Sequence, residues 1–316
     1  MKPKNVLIFG ASGQIGRHII RKLTKNNYKV TAITRNIHQK GYLLKTQAPA
    51  GWIDCIEANI FDEKKLKDLV GKSEICINLV GILSEGKKIN TFDNIHTKFP
   101  YLISKICKEK GIEQFIQLSA LGIEEATDSF YAKSKLRGEN EVKKNFPKAT
   151  ILRPSVVYSV DDNFTTNFMT LLNLLPFFPI FKNTKFMPIH VSDLTEIIYH
   201  IVSKEIKTTT IECVGNEVIS MKEILKKLLK LIGKKRLLVS LPFSVSKIIV
   251  NLFRFLPNPP ITKDQLNLLK KDNVASGKYQ TNFDIGVPSI CNFELEVEKY
   301  CEMWRNQGQF STKKYN

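Results

Sequence analysis

The stretch YAKSK places Tyr131 and Lys135 four residues apart, so that on a helix the phenol and the ammonium lie one turn from each other and can face one cleft. An ammonium beside a phenol stabilises the phenolate, which suits such a pair to general acid–base chemistry. A second constellation lies near the start. In NVLIFGASGQIG an apolar run meets Gly10, Gly13 and Gly16, with Ser12, Gln14 and Ile15 among them. Glycine lets the chain turn tightly, lets a pyrophosphate approach the backbone and lets the next helix pack close to its strand. The free N–H groups that open that helix then face the anion. With a strand before it and a helix after it, the loop reads as a nucleotide site rather than a plain turn.

The end of the second strand qualifies which nucleotide. VTAITRN carries Thr34, Arg35 and Asn36 where an NAD binder usually has an acidic residue for the ribose hydroxyls. Arg35 can meet a 2′-phosphate, so NADP(H) is favoured over NAD(H).

Periodicity supplies the scaffold these residues need. Short β-branched runs at 5–9, 28–34, 53–57, 75–80, 114–119 and 149–153 alternate with helical patterns. That alternation predicts a Rossmann-type, doubly wound α/β fold with a parallel sheet. Residues 1–160 form the dinucleotide-binding domain, its sheet completed by segments around 186–215, and residues 161–316 form a smaller, mostly helical region facing substrate or a docking partner. In ISMKEILKKLLKLIG (219–233) Ser220 and Glu223 form a capping box ahead of a Leu/Ile stripe. FSVSKIIVNLFRFLP (243–257) sets Val245, Ile248, Ile249, Leu252, Phe253 and Leu256 on one helical face, with Lys247, Asn251 and Arg254 elsewhere. We expect this helix to pack on its own core, the alternative being a membrane interface or an apolar subunit. FMTLLNLLPFFPIF (168–181) reads equally as a substrate lid, a docking face or core.

Composition narrows the classes. A chain of 316 residues that is 43% hydrophobic can bury a sizeable core. Its charge of +18 would suit an anionic partner, but Lys and Arg are spread along the whole chain. No helix-turn-helix, zinc-finger or RNP-like stretch accompanies them, so no nucleic acid is expected. The cysteines are scattered without metal-ligand spacing, which predicts free thiols and no metal. No apolar window is long enough to cross a bilayer. The first strand begins within a few residues of Met1, leaving no room for a signal peptide, so a cytoplasmic address is expected.

The spacing of the three glycines resembles the short-chain dehydrogenase/reductase superfamily, and further stretches agree. EANIFD (57–62), with Asn59 and Ile60, looks like its adenine-contacting turn, and NLVG (78–81), with Leu79, Val80 and Gly81, like its fourth-strand loop along the cofactor. RPSVVY (153–158), with Pro154 and Val156, resembles the extended subclass's contact with the nicotinamide end, and Leu118 ends the fifth strand beside it. The superfamily implies Tyr131 as general acid/base, with Lys135 lowering its pKa and binding the nicotinamide ribose. It also implies a Ser or Thr after the fifth strand. In FIQLSALGIEE that position falls on Ala120, with Ser119 one residue early and pointing away, so the constellation reads as incomplete. Asn94 stands about where the superfamily has a helix asparagine, and His190 in PIHVSDL reads as scaffold.

RPSVVYSVDDNF (153–164), PIHVSDL (188–194) and above all LPNPPITKDQLNLLKKDNV (256–274) resemble the atypical family that contains the 39 kDa accessory subunit of respiratory complex I. Ser159 departs from a position that is often Gly there. The resemblance implies NADPH held without turnover in a subunit or assembly factor of the NADH:ubiquinone oxidoreductase. Its partners are peripheral-arm subunits near the quinone end, and it sits peripherally on the inner membrane. The alternative is a working NADP-dependent reductase, epimerase or dehydratase on a small or quinone-related substrate.

Overall fold

Four of the five side chains of NVLIF are apolar, and the run becomes the buried central strand β1 (Asn5–Phe9). The computed structural model describes residues 3–86, 88–253, 259–306 and 308. Strands β2 (Lys29–Thr34), β3 (Ile53–Glu57), β4 (Ile75–Asn78), β5 (Gln114–Leu118) and β6 (Thr150–Pro154) follow the expected runs closely. With β7 (Thr209–Cys213) and β8 (Gln280–Thr281) they form an eight-stranded sheet in the order β8-β7-β6-β5-β4-β1-β2-β3. Its pairings are parallel throughout. The order reverses between β1 and β4, and α/β folds take ligands at the carboxyl ends of the strands at such a switch point.

Crossover helices cover both faces, which is why the strands are apolar on both sides. On one face lie α1 (Gln14–Lys25) and α2 (Ile37–Lys45), with Ile19, Ile20 and Leu23 of α1 on Val6 and Ile8. The other face carries α3 (Glu63–Gly71), α4 (Phe99–Glu109) and α5 (Phe130–Asn145), and a π-helical turn, Asp93–Lys98, feeds directly into α4. Helix α6 (Thr165–Leu174) follows β6, and α7 (Val191–Ser203) returns to the α1 face through Leu194, Ile197, Ile198 and Ile201. A further core gathers Tyr158, Met169 and Leu172 with α8 (Met221–Leu231). Helices α9 (Phe243–Phe253), α10 (Lys263–Leu268) and α11 (Phe293–Glu298) complete the set, with Phe293 and Val297 of α11 in that core.

Some expectations shift. Of the segment 186–215, residues Thr209–Cys213 enter the large sheet, whereas Lys185–Phe186 pairs antiparallel with Ile219–Ser220 and Ile189–His190 pairs with Val157–Tyr158 in small sheets of their own. The edge strand β8 is too short to leave a periodic signal. The capping box at α8 forms as read, Ser220 N–H donating to Glu223 Oε2 at 2.8 Å. Helix α9 does not bury its apolar stripe: Ser246 and Val250 are inside, while Val245, Ile248 and Leu252 are exposed. Leu256 of that stripe, and Arg254 beside it, lie outside the described residues. The 168–181 stretch divides, with Met169, Leu172, Phe178 and Ile180 buried and Leu174 and Phe177 exposed.

A charged group fixes how α5 meets the sheet. Arg153 at the end of β6 is 2% exposed, and such a charge is tolerable only when paired. Glu139 of α5 receives its Nε and Nη2 at 2.9 and 2.6 Å, and Glu124 receives Nη2 at 2.8 Å. Tyr279 donates to the same Glu124 oxygen at 2.7 Å while its ring centroid lies 4.5 Å from the guanidinium carbon. Removing one partner strands a buried charge, which costs about 3–5 kcal/mol. Glu139→Ala is therefore expected to lose about that much stability in urea unfolding; a midpoint within error of the parent would show that the pair does not hold α5.

Candidate functional site

The glycine loop turns from β1 into α1 under tight steric limits. Gly10 has φ +77°, and a Cβ there would sit 3.0 Å from the Leu79 carbonyl carbon. A Cβ on Gly16 would lie 2.4 Å from the Ala11 carbonyl oxygen, so α1 can pack this close only with glycine there. Gly13 caps α1 without any side-chain hydrogen bond, and the first turn of α1 holds no acidic residue. The opening amide groups of α1 thus have no side-chain acceptor, which leaves a cradle for an anion. Ser12, Gln14 and Ile15 are partly buried around it.

Across the mouth, Gln14 Nε2 donates to Ser159 Oγ at 2.7 Å, and Ser159 Oγ donates to Asp161 at 2.7 Å. Arg17 pairs with Asp161. Leu79 and Val80 pack half-buried against opposite faces of the sheet core, and the Val80 N–H donates to the buried Asn78 side chain at 3.1 Å. Ile60 and Leu118 belong to the core beneath, while Asn59 turns back to accept from Phe61 N–H at 3.0 Å. Pro154 is buried, its carbonyl accepting from Leu121 N–H at 2.9 Å, and Val156 is half-buried. Arg35 is exposed and donates to Asn90 Oδ1 at 3.2 Å. Glu57, at the end of β3, accepts from Ile37 N–H at 2.8 Å, which brings a carboxylate to the start of α2 that the sequence pattern did not single out.

The Lys135 ammonium lies 6.0 Å from the Tyr131 ring centroid. Lys135 is 7% exposed and donates to the Leu118 carbonyl at 3.4 Å. Gly81 leaves it room, because a Cβ there would stand 3.2 Å from Lys135 Nζ. Burial pushes the ammonium down to about 8. The phenol moves the other way. Burial and then the Asp264 carboxylate hold Tyr131 well above the usual phenol range, against the lowering that the superfamily role implies. Asp264, on α10, accepts from Ser129 Oγ at 2.8 Å, Phe130 N–H at 2.6 Å and Tyr131 N–H at 3.1 Å, so it caps the helix that carries the dyad.

The neighbour of Tyr131 is His96 rather than Asn94. Asn94 accepts from Lys98 and donates to the Ile89 carbonyl at 3.3 Å. His96 is 2% exposed, its ring centroid 5.2 Å from that of Tyr131 in an edge contact, with Phe92 stacked on it at 5.5 Å. Its Nε2 accepts from Ile82 N–H at 3.0 Å, so the proton is on Nδ1, which donates to Ser134 Oγ at 2.9 Å; Ser134 in turn donates to the Tyr131 carbonyl at 2.7 Å. Burial lowers His96 to about 2, keeping it neutral. A Cβ on Gly138 would meet the His96 carbonyl at 1.8 Å, so α5 lies directly on the π-helical turn. Ala120 gives the dyad no hydroxyl, and the buried Ser119 Oγ has no hydrogen-bond partner among the described residues. His190 caps α7, accepting from Ser192 N–H at 3.4 Å. Asn273 ties three segments together: it accepts from Ser155 Oγ at 2.6 Å, donates to the Leu121 carbonyl at 3.1 Å and brackets Lys185–Met187 through its backbone.

Among the described residues no cluster of His, Cys, Asp and Glu suits a metal, and no helix is long and apolar enough to cross a membrane. The sequence profile of the NmrA-like family matches residues 2–267. The chain belongs to the NmrA-like family. This NmrA-like chain is 27% identical over 283 residues to the Arabidopsis thaliana protein named NADH dehydrogenase [ubiquinone] 1 alpha subcomplex subunit 9, mitochondrial, covering 85% of the chain and 70% of that relative. It is 24% identical over 307 residues to the Neurospora crassa NADH-ubiquinone oxidoreductase 40 kDa subunit, mitochondrial, covering 96% and 80%. A Caulobacter vibrioides ceramide reductase is 26% identical over 191 residues, covering 60% and 57%. The plant and fungal relatives agree with the complex I subunit family that the later motifs resemble. In fold, the NmrA-like chain matches UDP-glucuronic acid 4-epimerase from Bacillus cereus with a TM-score of 0.72 at 19% identity, over 95% of this chain and 99% of that one.

A lysine whose folded pKa lies near 8 binds fewer protons than in the unfolded chain between about pH 8 and 10.4, so its contribution makes the fold gain stability as pH rises through that window. Lys135→Met is expected to flatten that rise relative to the parent when urea midpoints are compared across it. Parallel profiles would mean that the ammonium is not desolvated.

Proposed function

We propose that this chain binds NADP(H) in the crevice and holds it without turnover, as an accessory subunit or assembly and stability factor of respiratory complex I near the quinone end. The observation that carries the reading is the setting of Tyr131. Tyr131 is half-buried, its backbone N–H donates to the Asp264 carboxylate at 3.1 Å, and Ala120 stands where a hydroxyl partner would; burial and that nearby carboxylate both favour the protonated phenol. The cradle at Gly10, Gly13 and Gly16 fits a dinucleotide pyrophosphate, the bound group supplying hydride chemistry only where a proton donor serves it.

In this reading Ser12, Gln14 and Ile15 line the pyrophosphate, Asn59 and Ile60 the adenine, and Leu79, Val80, Gly81 and Leu118 the middle of the cofactor. Lys135 and Tyr131 face the nicotinamide ribose, and Pro154 and Val156 the nicotinamide. Arg35 selects the 2′-phosphate. Residues 1–160 are the dinucleotide unit and 161–316 the docking region. The names of the plant and fungal relatives support complex I as partner, peripheral-arm subunits being the contacts, with the chain held peripherally at the inner membrane. A second reading, a working reductase, draws on the similarity to the ceramide reductase.

Gentle purification followed by mass spectrometry is expected to recover NADPH, whose near-ultraviolet absorbance stays constant when carbonyl and quinone compounds are added, and a tagged chain is expected to comigrate with complex I on a native gel. Oxidation that turns over and stops in Tyr131→Phe would instead make this an enzyme. In a second measurement, Arg35→Ala is expected to weaken NADPH relative to NADH by about tenfold, or ~1.4 kcal/mol. An unchanged preference would remove Arg35 from the cofactor site.

A further inference from the structure

Helix α9 turns its apolar side outward. It buries Ser246 and Val250, while Val245, Ile248 and Leu252 stand 39%, 64% and 61% exposed. The strand that leads into it, Leu237–Ser240, pairs in parallel with Phe177–Ile180 in a ribbon that, among the described residues, joins no other sheet. Matched residues on paired strands share a face. Leu237 and Phe177 are matched and 68% and 58% exposed, whereas Phe178 on the opposite face joins the C-terminal core. Beside the start of α9 lies a groove of about 550 Å³ lined by Phe181, Leu241 and Phe243 together with Lys182 and Lys270. The ammonium of Lys247 sits 5.2 Å from the Phe243 ring centroid, and that of Lys270 5.4 Å.

The two stretches that build the ribbon and α9 carry charge of one sign, the acidic neighbours being Asp264 on α10 and Asp128. Neither 163–192 nor 224–263, the two stretches that build the ribbon and α9, contains an Asp or Glu, while the second carries Lys234, Lys235, Arg236 and Lys247. Asp128, from elsewhere in the chain, pairs with Lys270 at 2.7 Å. Protein–protein interfaces are depleted in lysine. A lipid surface with anionic headgroups attracts it, and long lysine stems cover apolar area while the ammonium stays in water.

We propose that α9 and the Phe177–Leu237 ribbon form a peripheral docking face for an anionic phospholipid surface, the helix lying in the plane of the headgroups. This adds a lipid contact to the accessory-subunit reading, and its test needs no complex I.

The full chain is sedimented with vesicles of phosphatidylcholine alone and of phosphatidylcholine mixed with phosphatidylglycerol. Binding is expected to the anionic vesicles only and to fall with added salt. It should weaken by about tenfold or more in Ile248→Asp/Leu252→Asp and in Lys235→Glu/Lys247→Glu. Circular dichroism and thermal unfolding check that these variants fold. Tyr42→Asp, an exposed position on α2, should bind like the parent. Absence of binding to anionic vesicles at low salt, or equal binding by the α9 variants and the parent, would overturn the proposal. So would a chain that ignores vesicles yet comigrates with complex I, since the face would then be a protein contact and the accessory-subunit reading would stand without it.

Discussion

A guanidinium almost cut off from water organises the centre of this molecule. Arg153 is placed by β6 near the carboxyl end of the strand; α5 and the loop after β5 each send it a carboxylate, and the segment around Tyr279 lays a ring beside it. Those elements are far apart in the chain, so the pairing works as a geometric clamp. Helix α5 must sit at the one depth and rotation that put Glu139 on Arg153, and that setting also fixes Tyr131 and Lys135, two turns and one turn earlier on the same helix. The close approach of Gly138 to the His96 carbonyl follows from the same setting, since a helix held by its buried face cannot back away from its neighbour.

The surroundings of the dyad favour the structure of α5 and the protonated form of Tyr131. A carboxylate at a helix N-terminus is favourable for the helix, and Asp264 provides it with three hydrogen bonds. The same negative charge disfavours a phenolate on the first turn. Stability of α5 and reactivity of Tyr131 compete for one environment, and here the helix prevails.

Much of the scaffold was legible in the sequence because it repeats. β1 to β6 and the capping box at Ser220 each announce themselves within a few neighbouring residues. The crevice was less legible. Tyr131 and Lys135 could be placed from spacing alone, but the sign of the phenol shift depends on Asp264, more than a hundred residues later. Asp264 and Asn273 both stand inside the quoted TKDQLNLLKKDNV, whose specificity could be seen while its mechanical role, capping α5 and stitching three loops, could not. Asn94 drew the eye by its type. The π-helical turn instead carries His96 to Tyr131, and no periodic pattern reveals such a turn. Helix α9 misled for a related reason: an apolar stripe shows that a helix has two sides, and not which side the rest of the chain will cover.

The strand β8 enters the sheet beside β7 from beyond the helical region that follows β7. It is held there by Asn282, which accepts from Val214 N–H at 2.8 Å, and Ser276 binds the buried Glu212 of β7 through both backbone and hydroxyl. During synthesis on the ribosome, β7 thus waits with an open edge and an unsatisfied carboxylate while the intervening helices emerge. Contacts of such long sequence separation form late and leave an intermediate exposed to wrong pairings. The fold would accordingly mature in two stages, a nearly complete sheet first and its closure afterwards, with chaperone dependence concentrated in the interval between them.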